Sequence, residues 1–262
     1  MARVTGKHIT GVLGPVNLRR YRRKQTMSIR AEKIKQTAAT IRCSNTFGKA
    51  NLLVQSIRER FSFCTRGFYD GTMYNRMNSV MSMIFYESRE VSTMEFAFSK
   101  KSFEKLADFD FNIKSPLLHS LRIKPEVSLD NNNLVTISLD AIKVPAQLKF
   151  QGKSTYCKIT FNLLIYSLKG SLFKGVSELF SVIVSKDQKN LEEQMFQFKV
   201  PNGCLCLVGC YLDFWYNSAE YQILENNPAF NPAAIIAAIV SNGESEGNDD
   251  LKWRNDPYLN WS

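Results

Sequence analysis

The 262-residue chain is 44% apolar, enough for one large domain or two small ones around a sizeable core. Six cysteines without framework spacing, no apolar stretch after residues 1–7 and no run of eighteen apolar residues argue against a disulfide scaffold, a signal peptide and a transmembrane helix. The formal charge of +10 is concentrated: residues 1–66 hold fifteen Lys and Arg against Glu32 and Glu59 alone, while the remainder is slightly acidic.

Residues 1–36 read as a basic arm. Gly6, Gly11, Gly14 and Pro15 interrupt regular structure early. Arg19, Arg20, Arg22, Arg23 and Lys24 then place five positive charges in six positions around Tyr21, with Arg30 beyond. A block this dense stays out of a core, so it is either a solvated arm or a grip for an anion. Arginine forks suit phosphate and Tyr21 suits stacking, which makes nucleic acid one candidate partner, although no base-reading motif accompanies them.

Residues 37–90 follow as a helical hairpin. Thr37 serves as an N-cap, and Ile41, Phe47, Ala50, Val54, Ile57 and Phe61 fall on one helical face. After a glycine-bearing turn at 67–71, Met73, Met77, Val80, Met81, Ile84 and Phe85 restart the helical period. Such a pair must bury its apolar stripe on the body or on another subunit.

Over residues 91–217 the period changes to two. Strands are predicted around Met94, Phe96 and Phe98, at Leu134, Ile137 and Leu139, over 158–166, around Phe180, Ile183 and Val184, and over 195–200 and 204–216. Turn residues separate them at 130–133, 151–152, 169–170, 186–188 and 201–203. Short strands, hairpin-like turns and the absence of helical crossovers predict an antiparallel, immunoglobulin-like β-sandwich, and the fold class is α+β. Residues 218–262 form a tail with seven acids against Lys252 and Arg254. Pro232 suits the start of a short helix over 233–240, and 241–250 reads as an acidic loop. Trp253, Tyr258 and Trp261 have the character of anchors for a pocket, on this chain or its neighbour.

Catalytic chemistry finds little support. Cys204, Cys206 and Cys210 share one side of a strand, but their spacing is no knuckle and His8 and His119 are the only histidines, so packed small apolar residues are expected rather than a metal site. His119 follows leucines at the apparent edge of a strand, and no nucleophile elbow, P-loop or dinucleotide fingerprint is present. Asp108 and Asp110, and Asp249 and Asp250, lie in polar loop contexts unlike a buried acid/base pair.

Gly11 and Gly14, the basic run at 19–24, Thr37-Ala38-Ala39 with Arg42 and Phe47-Gly48, Thr72 with Asn75, residues 94–99, and Asn217-Ser218 with Tyr221 together carry a resemblance. The chain resembles an uncharacterised family of small basic Bacteroidetes proteins, known only as a domain of unknown function. The likeness covers the first hundred residues best, and the acidic tail lies outside it. It implies an N-terminal helical segment followed by immunoglobulin-like β structure, and no activity.

These observations predict a non-enzymatic structural protein, made in the cytoplasm, that forms a homo-oligomer or joins a larger particle such as a virion or filament. The basic arm and aromatic tail would make the contacts, as in heterologous head-to-tail assembly. Sequence-tolerant nucleic-acid binding through Arg19, Arg20, Tyr21, Arg22, Arg23, Lys24 and Arg30 is the alternative. No cofactor, metal or small-molecule substrate is called for.

Overall fold

The computed structural model describes residues 2–21, 24–30, 36–90, 95–168, 172–174, 179–219, 221–244, 253–256 and 258. The chain divides into two compact units, Met1–Cys43 and Ser44–Ser262.

The first unit is not an irregular arm. It is an antiparallel meander of β1 (Arg3–Thr5), β2 (His8–Leu13), β3 (Val16–Tyr21) and β4 (Lys24–Ile29) in sequential order. Thr5 pairs with His8 and Leu13 with Val16, so Gly6-Lys7 and Gly14-Pro15 are two-residue hairpin loops. Gly6 and Gly14 have φ of 60° and 55°, the left-handed conformation such loops require. Gly6 and Gly14 therefore connect strands, while Gly11 lies within β2 and pairs with Leu18. Helix α1 (Ala38–Thr65) begins in this unit. The Thr40 amide donates to Thr37 Oγ1 at 3.2 Å, the predicted N-cap.

The second unit is α+β, with three layers. The outer layer is the remainder of α1 and α2 (Met73–Glu87), close to the predicted hairpin. The loop between them is tied by Asp70, whose carboxylate accepts the Thr72 amide (2.8 Å), the Arg76 guanidinium (2.6 Å) and the Ile113 amide (3.2 Å).

The chain continues through β5 (Phe109–Asp110), α3 (Leu117–Ser120), β6 (Glu126–Leu129), β7 (Leu134–Leu139) and β8 (Ile142–Lys143). Then come β9 (Tyr156–Ser167), β10 (Leu172–Lys174), β11 (Leu179–Ser185), β12 (Asn190–Leu191) and β13 (Gln194–Lys199). The remaining strands are β14 (Cys204–Ser218), β15 (Tyr221–Leu224), β16 (Ala233–Val240) and β17 (Arg254–Asn255). The middle layer is an eight-stranded sheet in the order β17-β10-β9-β14-β16-β5, with β11 also on β9 and β15 also on β14. The third layer is the sheet β13-β7-β6. All registered strand pairs are antiparallel.

The middle sheet is buried on both faces. On β9 and β14, Leu164, Tyr166, Leu205, Leu207 and Tyr211 pack into the core shared with the helices. Alternate residues Leu163, Ile165, Cys204, Cys206, Cys210 and Leu212 pack into a second core with Val135, Ile137 and Leu139 of β7. This period of two is the strand geometry that puts successive side chains on opposite faces. Gly209 on β14 faces Phe61 of α1 so closely that an added Cβ would overlap the ring, so glycine lets the helix seat there.

Four local expectations are corrected. Ala233–Val240 is a strand, not a helix: it pairs with β14 and sits in the middle sheet, where an all-apolar run is buried on both faces. The 218–262 segment is accordingly not a tail, since β15, β16 and β17 belong to the sheet. Phe96 makes a single bridge to Arg89 rather than a strand, and Phe96 and Phe98 pack their rings on Phe85 at 4.9 and 5.3 Å; Met94 lies outside the described residues. His119 is on the short helix α3, not at a strand edge.

Candidate anion-binding and assembly surfaces

Strand register sorts the residues of the N-terminal sheet onto two faces. Directly opposed pairs share a face, so Val16–Ile29, Leu18–Met27, Leu13–Val16 and Arg20–Gln25 lie on one side. Asn17–Ser28 and Arg19–Thr26 lie on the other, and Lys24, one residue before Gln25, belongs with them. Arg19 and Arg20 therefore point to opposite faces, and the basic run does not form a single patch. Lys24 and Arg30 are exposed, and the Arg30 amide donates to the Pro15 carbonyl at 2.6 Å. Arg22, Arg23 and the side chain of Tyr21 lie outside the described residues.

The first face is apolar and open. Leu13 is 62% exposed, Met27 70% and Ile29 86%. Leu18 is the one buried apolar side chain among the described residues of this unit. Its edge is stiffened by Gln25, whose side-chain amide donates to the Ile9 carbonyl (2.6 Å) and accepts the Ile9 amide (3.0 Å). A shallow concavity of about 500 Å³ is lined by Thr10, Val12, Asn17, Leu18, Arg19 and Arg20. Arg19, on the face of Val12 and Asn17, stands there beside hydroxyl and amide groups, a setting suited to an anion.

Of the three aromatic anchors, Trp253 packs against the second core of its own chain. Tyr258 is held over α1: its hydroxyl hydrogen-bonds Glu59, which pushes its pKa up, and Gln55. Trp261 lies outside the described residues. Between Trp253 and Tyr258, the sequence reading missed Asp256. Its carboxylate is buried, accepts the Ser56 hydroxyl and the Tyr258 amide (2.9 Å), and lies 3.7 Å from Arg60 Nη2. Ser56 Oγ is also 3.2 Å from the Tyr166 hydroxyl, whose pKa burial pushes up. Arg60 stacks over Phe173, with Cζ 3.7 Å from the ring centre. The partners lie 200 residues apart in sequence, so no local pattern could have signalled them.

Of the groups weighed for catalysis, Asp108, Asp110 and the β14 cysteines have structural employment, and Asp249 and Asp250 lie outside the described residues. Asp108 pairs with Lys124 at 2.5 Å, and Asp110 accepts the Leu117 amide at 2.8 Å while burial pushes its pKa up. Cys204, Cys206 and Cys210 line the second core on one side of β14, and burial pushes the Cys206 and Cys210 thiols up. Cys43 is exposed. Cys64 is buried and accepts an Asn162 amide hydrogen at 3.0 Å; burial pushes its pKa up. Among the described residues no group of three or more His, Cys, Asp or Glu is placed to hold a metal, and no helix is long and apolar enough to cross a membrane.

No family model, no curated protein and no solved structure matches this chain.

Proposed function

We propose that the chain is a non-enzymatic structural subunit that forms a homo-oligomer or part of a larger particle, using the N-terminal sheet as its principal contact. The observation that carries this reading is the exposed apolar face bearing Leu13, Met27 and Ile29. A small sheet that buries little of its hydrophobic face is marginal alone and gains stability when a second layer covers it. The opposed sheets of the β body support classing it as immunoglobulin-like, in keeping with the Bacteroidetes family that the chain resembles.

Light scattering after size-exclusion chromatography tests assembly. The wild-type protein is expected above its 30.0 kDa chain mass, and Leu13→Ser, Met27→Ser and Ile29→Ser combined are expected to return it to that mass. A wild-type monomer at every concentration and salt would overturn the reading.

The second reading, sequence-tolerant nucleic-acid binding, is favoured by Arg19 beside Asn17 at the shallow concavity, with Arg20 adding positive charge to the opposite face. Changing Arg19, Arg20, Arg22 and Arg23 together to Ala is expected to weaken DNA or RNA binding and flatten its salt dependence. Absence of wild-type binding at low salt removes this reading.

A further inference from the structure

Trp253, Arg254, Asn255, Asp256 and Tyr258 occupy a site that meets each of them with a specific contact. Arg254 and Asn255 pair with Phe173 and Leu172, adding a strand to the β10 edge of the middle sheet. One residue later Asp256 enters a pocket formed by Ser56, Arg60 and Tyr166, where its side chain is fully enclosed. Trp253 is held by the second core and Tyr258 by Glu59 and Gln55. The elements are those of β-strand addition: main-chain pairing supplies affinity and side-chain pockets supply specificity. A buried carboxylate is tolerated only where hydrogen bonds and a cation meet it, so Asp256 is the discriminating contact.

We propose that this is a strand-exchange site, which takes residues 253–258 of a second copy when the protein assembles; the closed form within one chain uses the same contacts. The proposal rests on the assembly reading and names its second interface. Three observations choose the occupant. The site is already fitted to this segment, and a second copy carries the identical one. The contacts on residues 253–258 come from α1, β10 and the second core, all distant in sequence, so nothing in them depends on which chain supplies the segment. The connection from Glu244 to Trp253 is the eight residues 245–252, of which only Leu251 is strongly apolar. Exchange of an identical element between copies is a low-cost route to assembly. A short tether gives its own segment an effective concentration of order mM, so exchange dominates only where copies are crowded or the closed form is disabled.

The test disables it in full-length chains that also carry Leu13→Ser, Met27→Ser and Ile29→Ser, so the N-terminal interface contributes nothing. Asp256→Ala leaves the site intact but spoils the segment; Ser56→Trp blocks the site but leaves the segment intact. Each alone is expected to be monomeric, and their mixture is expected to form a 1:1 heterodimer. A labelled synthetic peptide of residues 251–262 is expected to bind the Asp256→Ala chain at least about tenfold more tightly than the same peptide with Asp256→Asn, the factor for losing one charged hydrogen bond. Should Asp256→Ala fail to fold by circular dichroism, Asp256→Asn, closer in shape, replaces it in the chain. Folded partners that form no heterodimer, with no peptide binding, would overturn the proposal and leave the segment a clasp within one chain. That result leaves the N-terminal assembly reading standing, because its own test uses a different face.

Discussion

Asp70 shows how one carboxylate can organise a connection between helices. Burial pushes its pKa up, but hydrogen bonds from Thr72, Arg76 and Ile113 outweigh this and hold it well below the usual carboxylate range. A depressed folded pKa means that the group stabilises the fold above its unfolded value, and that the contribution is lost as pH falls below about 4. Asp70→Asn is expected to cost about 1–3 kcal/mol at pH 7, as for loss of charged hydrogen bonds. Urea unfolding from pH 7 to pH 3 is the check: the gap between variant and wild type should narrow as pH falls, and a constant gap would contradict the argument. In the sequence this position shows only a turn near Gly67 and Gly71, because the partners that give Asp70 its role are brought in by α2 and by the chain at Ile113.

At the scale of elements, the contact of α1 with β14 turns on a missing side chain. Phe61 fills the space over Gly209. Gly209→Ala is expected to destabilise by about 1–3 kcal/mol through overpacking. In a Phe61→Ala background the same change is expected to cost little, and a double-mutant cycle in urea measures the difference. Equal costs in both backgrounds would show that the ring is not what excludes the methyl group. The two helices and strands β7, β9 and β13 were legible because each shows a clear period, 3.6 or 2, whereas β11 and β14 were legible as apolar segments set off by turn residues. Ala233–Val240 was not, because an unbroken apolar run has neither period. Its pairing with Leu205–Tyr211 of β14, not its composition, makes it a strand.

For the whole molecule, two compact units predict two stabilities. The first buries only Leu18 among its described apolar side chains, whereas β9 and β14 lie between two cores. Native-state hydrogen exchange on the protein at a concentration where it is monomeric should show β2 and β3 amides opening at lower free energy than those of β9 and β14. Protection of β2 and β3 equal to that of β9 would mean that the chain unfolds as one body. The basic run was legible by count, but not its division between faces, since alternation assigns Arg19 and Arg20 only once the run is known to be strand.

By itself the amino-acid sequence determined what local rules govern: charge concentrated at the N-terminus, the helical pair, the main antiparallel strands and the turns between them. These follow from periodicity and from residues whose backbone preferences act over a few positions. Only the tertiary structure decided that β16 is a strand, that Arg254–Asn255 pairs at the β10 edge of the sheet, and that Asp256 meets Ser56 and Arg60. Those outcomes depend on contacts between segments as much as 200 residues apart, and burial in such contacts overrides weak local preference.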